Sequence, residues 1–141
     1  NLPIIPDTFT LVPRQVRTEK GYKPDSGVVS QIKTIKRLFG TSDQIIVATD
    51  AGREGELIFR YLYHYTGSTT PFVRLWISSL TDKAIREGLR NLEDGGKYDN
   101  LYLAAKARSE SDWLVAGSLH RRRTRHVFRR TGADTHAGDG V

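Results

Sequence analysis

The fold is decided by one short stretch, Ile45-Ile46-Val47-Ala48-Thr49-Asp50-Ala51-Gly52-Arg53-Glu54-Gly55-Glu56-Leu57-Ile58. An apolar run ends at an aspartate, a glycine-containing turn follows, and a segment with helical apolar spacing begins. This order predicts a strand, a turn and a helix. It places Asp50, Glu54 and Glu56 where a parallel strand ends, which is where open α/β sheets usually bind ligands.

These three carboxylates have two interpretations. Clustered carboxylates repel one another unless a cation joins them, and oxygen ligands favour Mg²⁺ or a similar hard ion. Alternatively, Asp50 caps the helix, and Glu54 and Glu56 complement its dipole. Gly52 and Gly55 allow close approach of a ligand to the backbone, but neither a Walker A loop nor a dinucleotide fingerprint is present. Spacing alone leaves both interpretations open.

The composition bounds the class of protein. The chain has 141 residues, enough for one domain with a real core. It contains no Cys, which excludes disulfides and thiolate chemistry. It contains no Met, even at position 1, so we expect a piece of a longer protein. No apolar run approaches the roughly 20 residues of a membrane span, and no signal peptide is visible, so a cytoplasmic setting is expected.

The net charge of +6 suggests a nucleic-acid partner, but the charge is unevenly distributed. Residues 1–115 contain 16 Lys and Arg against 14 Asp and Glu, whereas residues 116–141 contain 6 Arg against 2 Asp. Most of the positive excess therefore belongs to a C-terminal tail that differs in composition from the rest.

Apolar patterning predicts a series of alternating elements. The predicted strands are 9–12, 45–49 and 72–77. The predicted helices are 28–39, 53–65, a segment that begins at the cap Thr81, and 98–115. Residues 17–27 are predicted to form a polar loop. Strands alternating with helices predict an α/β fold with a small parallel sheet flanked by helices. The continuous apolar strand 45–49 is expected to be covered on both faces.

The expected core faces of two helices follow from the same spacing. The helix 53–65 is predicted to bury Leu57, Ile58, Tyr61, Leu62 and Tyr65, and the helix after Thr81 is predicted to bury Ile85, Leu89 and Leu92.

Four stretches in the same order resemble type IA DNA topoisomerases, most closely the bacterial topoisomerase III branch. They are Asn1-Leu2-Pro3-Ile4-Ile5-Pro6, Ala48-Thr49-Asp50-Ala51-Gly52-Arg53-Glu54-Gly55-Glu56-Leu57-Ile58, Arg74-Leu75-Trp76-Ile77-Ser78-Ser79-Leu80-Thr81, and the segment from Tyr98 to Val115. The second resembles the acidic motif of the Toprim domain, a Rossmann-like α/β fold. The resemblance covers residues 1–115.

The resemblance implies a function. These enzymes cut one DNA strand through a tyrosine, pass DNA through the break and reseal it, and their Toprim domain holds Mg²⁺ near the scissile phosphate. Asp50 and Glu54 resemble the first and last acids of the Asp-x-Asp-x-Glu motif, with Glu54 as a catalytic acid or base. Gly52 replaces the middle acid, as in related topoisomerase III sequences, which weakens metal binding unless Glu56 or water substitutes.

Two arginines resemble DNA-contacting residues of the family. Arg53 follows the acids and is expected to face phosphate, with catalytic and DNA-binding roles; a surface ion pair is the alternative. Arg108 matches an arginine that approaches DNA, and its alternative is an ion pair with Asp112, four residues along the same helix.

Two parts of the family's active site are expected outside this chain. The opening strand of the sheet, with an essential Glu, is expected upstream, and the nucleophilic tyrosine is expected in a later domain. The six tyrosines match no part of that tyrosine's motif, and Tyr61 and Tyr65 are predicted to pack in the core. We therefore expect a sheet that is incomplete at its N-terminal strand and a fragment that is inactive alone, with single-stranded DNA and the remaining domains as partners.

The predicted organisation has three parts: an irregular lead-in at 1–27, a Toprim core at 28–115, and a disordered basic tail at 116–141. Shifting the reading frame of the tail by one nucleotide allows codons that spell a peptide similar to a downstream topoisomerase III stretch. We therefore hypothesise an out-of-frame tail, which sequencing of the encoding DNA tests.

Two other functions stay open at this point. One is a stand-alone Toprim nuclease or primase-like protein. The other is a non-catalytic nucleic-acid-binding module that depends on the basic tail.

Overall fold

The computed structural model describes residues 8–119 and 128–131, with side chains described over residues 8–116. Its strands are β1 (Thr10–Pro13), β2 (Gln15–Thr18), β3 (Gly21–Pro24), β4 (Ile45–Val47), β5 (Phe72–Arg74), β6 (Glu93–Asp94) and β7 (Phe128–Thr131). Its helices are α1 (Ser26–Thr41), α2 (Arg53–Tyr65), α3 (Asp82–Arg90) and α4 (Asp99–Leu119), and Gly95–Tyr98 forms a single 3-10 turn. Within the described part of the chain, no helix is both long and apolar enough to cross a membrane.

The chain forms two compact units, and the first comprises Gln31–Lys106. Its three-stranded sheet has the order β4-β5-β6, with β4 parallel to β5 and β5 antiparallel to β6. The α/β fold class with a small parallel pair is confirmed. The helix α2 has the predicted bounds, whereas β4 and β5 end earlier than predicted and β6 was not predicted.

An aromatic core lies between the sheet and α2. Ile45, Val47 and Phe59 are buried, and Phe39, Tyr63 and Phe72 pack against them. The predicted stripe of α2 is therefore partly wrong, because Ile58 is 40% exposed and Tyr65 is 39% exposed. The inner face of α2 carries the charged residues Glu56 and Arg60. Because charged residues read as exposed in a hydropathy pattern, the pattern does not identify this face as buried.

The other face of β4 is open, because Ile46 is 47% exposed. The prediction that this strand is covered on both faces is therefore wrong for the described residues. Ile45 and Val47, which alternate with Ile46, supply the buried face.

Thr81 begins α3 as predicted, since its hydroxyl accepts a hydrogen bond from Ala84 N at 3.2 Å. The predicted buried face is wrong at Leu89, which is 47% exposed. The helix instead packs through Gly88, where a β-carbon would lie 2.5 Å from Ile77 Cγ2.

The second unit is formed by the described residues of Asn1–Ser30 and Ala107–Val141. The predicted strand 9–12 is observed as β1, but the predicted loop 17–27 is wrong in part, because β2 and β3 pair as an antiparallel hairpin. Gly21 makes the hairpin turn possible with a φ of 118°, and Thr18 Oγ1 donates to its carbonyl at 2.9 Å.

The tail predicted to be disordered, residues 116–141, overlaps the described residues at two places. The helix α4 extends to Leu119, and β7 pairs antiparallel with β1, so residues 128–131 differ from the predicted disorder. Pairing of β7 requires only backbone groups, which a side-chain pattern does not reveal. The motif at residues 1–6 and the rest of the tail, with its frame-shift hypothesis, lie outside the described residues.

Candidate metal and phosphate site

The acidic turn, residues 48–54, connects β4 to α2. Gly52 occupies the position before the first turn of α2, and among the described residues no side chain caps that end. The alternative in which Asp50 caps the helix is therefore not observed. Asp50, Arg53 and Glu54 are exposed, and within residues 8–116 the carboxylate of neither acid accepts a hydrogen bond or forms an ion pair. Two unpaired carboxylates thus lie at the carboxyl end of β4.

Gly55 closes the acidic turn against its own backbone. A β-carbon at Gly55 would lie 2.0 Å from the carbonyl oxygen of Asp50, a distance that side chains do not adopt. Thr49 Oγ1 donates to the carbonyl of Gly55 at 2.8 Å, which joins the two ends of the turn. The glycine is therefore required by geometry.

Arg74, the last residue of β5, binds the backbone of the acidic turn from inside the protein. Its Nη1 donates to the carbonyls of Val47 and Thr49, both at 2.9 Å, and its Nη2 donates to the carbonyl of Asp50 at 2.7 Å. The residue is 0% exposed. Three carbonyl oxygens where the chain leaves β4 therefore converge on one guanidinium group.

Glu56 is the counter-ion of Arg74 and is itself 0% exposed. Arg74 Nε lies 3.1 Å from Glu56 Oε2, an electrostatic contact without hydrogen-bond geometry. Arg60 Nε donates to Glu56 Oε1 at 2.8 Å. Burial lowers the pKa of the Arg74 guanidinium, and the charge of Glu56 opposes that effect.

Arg60 extends this buried network away from the acidic turn. Its Nη2 donates to the carbonyl of Gly95 at 2.9 Å and to Asp99 Oδ1 at 2.6 Å. Its guanidinium also lies 4.7 Å from the ring centroid of Phe72. Sequence reasoning missed Arg60, Arg74 and Asp99, although the spacing of Glu56 and Arg60 was a signal for an ion pair on one helix.

The sequence model of the Toprim domain family matches residues 14–80 of this chain. Residues 14–80 belong to the Toprim domain family. The predicted resemblance to the topoisomerase III branch is confirmed.

Two curated relatives are both named DNA topoisomerase 3. The protein of Staphylococcus aureus (strain USA300) is 54% identical over 87 residues, which cover 60% of this chain and 12% of the relative. The protein of Bacillus subtilis (strain 168) is 47% identical over 115 residues, which cover 82% of this chain and 15% of the relative. The matched part of the chain therefore spans 12% to 15% of the length of these relatives.

Glu56 differs most from its predicted role in the Toprim acidic motif. It was predicted as a metal ligand together with Asp50 and Glu54, but each of its carboxylate oxygens faces an arginine. A buried carboxylate whose two oxygens each face a guanidinium group is not available to a cation. Among the described residues, no group of three or more His, Asp or Glu side chains is arranged to hold a metal ion.

The two predicted DNA-binding arginines lie in different units of the fold. Arg53 is exposed at the first position of α2, beside the Toprim carboxylates. Arg108 is exposed on α4, in the unit that contains β1. Over residues 8–116, neither arginine forms an ion pair, so the alternative pairing of Arg108 with Asp112 is not observed.

Proposed function

We propose that this Toprim domain supplies the Mg²⁺-binding acidic site of a type IA DNA topoisomerase, with Asp50 and Glu54 as its protein ligands. One observation carries the proposal: two exposed, unpaired carboxylates share a turn whose backbone is fixed by Gly55 and Arg74. Mg²⁺ usually keeps several waters and binds one or two carboxylates together with substrate phosphates. Two carboxylates therefore fit this ion, and water or phosphate completes its coordination.

The roles of the individual side chains follow from their exposure and charge. Asp50 and Glu54 would hold Mg²⁺, which would supply positive charge to neutralise the phosphate oxygens. Glu54, without a counter-ion among the described residues, accepts or donates a proton during strand cleavage and rejoining. Arg53, the neighbouring residue, forms charge-assisted hydrogen bonds with phosphate. Arg108 contributes a further DNA contact.

The proposed reaction requires parts beyond this site. The chain spans only a small share of its relatives, so the nucleophilic tyrosine is assigned to another domain, and this chain alone is expected not to cleave DNA. Single-stranded DNA and the remaining domains of the enzyme are the proposed partners. A cytoplasmic location remains a prediction.

The metal assignment is tested by titrating the full chain with Mg²⁺ while recording amide NMR spectra. We expect the amides of Asp50, Gly52 and Glu54 to shift at millimolar metal, and Asp50→Asn or Glu54→Gln to abolish the shifts. Asp82→Asn is the matched control, because Asp82 is an exposed acid in the first turn of α3. Shifts that persist in both acidic-turn variants contradict the assignment.

DNA binding separates this function from the non-catalytic module. Anisotropy of a labelled single-stranded oligonucleotide is expected to report weaker binding for Arg53→Gln and Arg108→Gln. A variant in which Arg121, Arg122, Arg123 and Arg125 are changed to Gln measures the contribution of the tail. If only the tail variant loses binding, the module interpretation replaces the proposed one.

A further inference from the structure

Arg74, at the end of β5, forms hydrogen bonds with the acidic turn that follows the neighbouring strand β4. Its three hydrogen bonds reach the carbonyls of Val47, Thr49 and Asp50, so they span the point where β4 becomes the acidic turn. The carbonyl carbon of Asp50 is bonded to the same α-carbon that carries its carboxylate side chain. The direction of that side chain therefore depends on the peptide plane that Arg74 holds.

We infer that Arg74 is a positioning residue for the metal site, which sets the direction of the Asp50 carboxylate through the backbone. This inference rests on the proposed Mg²⁺-binding function of Asp50 and Glu54. Arg74 does not touch the metal, since it is 0% exposed, its Nη1 and Nη2 donate to carbonyl oxygens, and its Nε lies beside Glu56.

The chemistry of the side chain suits this task. A guanidinium group is planar and presents its donors in a rigid fork, whereas a lysine ammonium is a single point charge on a flexible stem. Only the fork reaches the carbonyls from Nη1 and Nη2 at 2.7 to 2.9 Å while keeping Nε beside Glu56. Arg74→Lys therefore keeps the positive charge but removes the planar set of donors that reaches the carbonyls.

Glu56 makes this arrangement compatible with a cation. An uncompensated buried guanidinium group would repel Mg²⁺ at the nearby acidic turn. The carboxylate of Glu56 compensates the charge of Arg74 through the 3.1 Å contact with Nε. The buried acid of the Toprim motif thus serves the site indirectly.

Arg60 supplies a matched control. It is also buried, 7% exposed, and it also pairs with Glu56, but its other bonds go to Gly95 and Asp99 instead of the acidic turn. Arg60→Lys and Arg74→Lys therefore disturb the same ion-pair network. Only the second releases the backbone of the metal site.

The test compares Mg²⁺ dissociation constants, measured by amide NMR titration of the full chain at matched folded fractions. We expect Arg74→Lys to weaken Mg²⁺ binding by roughly 10- to 100-fold, the usual effect of losing an outer-shell partner. Arg60→Lys should keep the wild-type dissociation constant even if it lowers the melting temperature. Equal effects of the two variants would show that Arg74 acts through stability alone and would overturn the inference.

A wild-type measurement covers the case in which Arg74→Lys does not fold. The Nη protons of Arg74 should be slowly exchanging because they are hydrogen-bonded, and they should shift with Mg²⁺ at the same midpoint as the Asp50 amide. If they do not respond, the inference fails. If Asp50→Asn and Glu54→Gln leave Mg²⁺ binding unchanged, the proposed function fails instead, so the two failures are distinguishable.

Discussion

The α-carbon of Gly55 faces the carbonyl oxygen of Asp50 so closely that a β-carbon would lie 2.0 Å from that oxygen. The obstacle is backbone, which a small side-chain movement does not relieve. We therefore predict that Gly55→Ala lowers the free energy of unfolding by about 3 kcal/mol or more. Urea unfolding followed by circular dichroism measures the loss.

Gly52→Ala is the control for that variant. A β-carbon at Gly52 meets no atom within 4 Å, and its φ of 168° is extended backbone that any residue adopts. Its free energy of unfolding should change by less than about 1 kcal/mol. Equal destabilisation by the two alanines would refute the close-contact argument.

Gly52 also offers a gain-of-function test. Gly52→Asp adds a carboxylate between Asp50 and Glu54, and space for it is present. Because an added ligand charge raises cation affinity, we expect Mg²⁺ binding to tighten on the order of tenfold. Gly52→Asn controls for helix capping without charge, and isothermal titration calorimetry compares them. Identical affinities for Asp and Asn at this position would count against a metal at the turn.

The buried network predicts a large stability difference between two neighbouring glutamates. Glu56→Gln leaves Arg60 and Arg74 without their shared counter-ion, so the free energy of unfolding should fall by about 3 kcal/mol. Glu54→Gln changes an exposed acid in the same helical turn and should cost less than about 1 kcal/mol. Chemical denaturation of both variants checks this, and similar losses would mean that Glu56 is not the buried counter-ion.

His64 predicts a weak dependence of stability on pH. His64 is exposed, but partial desolvation first, and then the positive charges of Arg60 and Lys106, lower its pKa below the ordinary 6.5. The folded state therefore binds fewer protons than the unfolded state, and stability falls as pH drops below about 6.5 toward the folded pKa. His64→Gln should flatten the stability curve between about pH 7 and pH 5, as thermal unfolding measures. An unchanged slope would exclude His64 as the source.

The sequence alone predicts a structural feature correctly where local signals and tertiary packing agree. The bounds of α2 were predicted because an apolar-periodic run lies between turn residues, and Thr81 was predicted as a cap because its hydroxyl acts within one helical turn. The position of Asp50 and Glu54 at the end of β4 followed in the same way. These features depend on residues close together in the chain.

The buried charges were not predictable by the same reasoning. Hydropathy assigns Glu56, Arg60 and Arg74 to the surface, and their burial depends on partners that are distant in sequence. Arg60 binds Gly95 and Asp99, which lie 35 and 39 residues further along the chain. Glu56 is an example, because its place in an acidic motif predicts a metal ligand, whereas its two arginine partners make it a buried counter-ion.

The hydrogen bonds of Arg74 have a consequence for protein engineering. They hold the acidic turn by its carbonyl oxygens, and every residue type carries a carbonyl oxygen. The exposed side chains at 50, 53 and 54 can therefore be exchanged without removing any of the contacts that Arg74 makes. The acidic turn can therefore accept different side chains, and so different chemistry, while Arg74 keeps its backbone conformation unchanged.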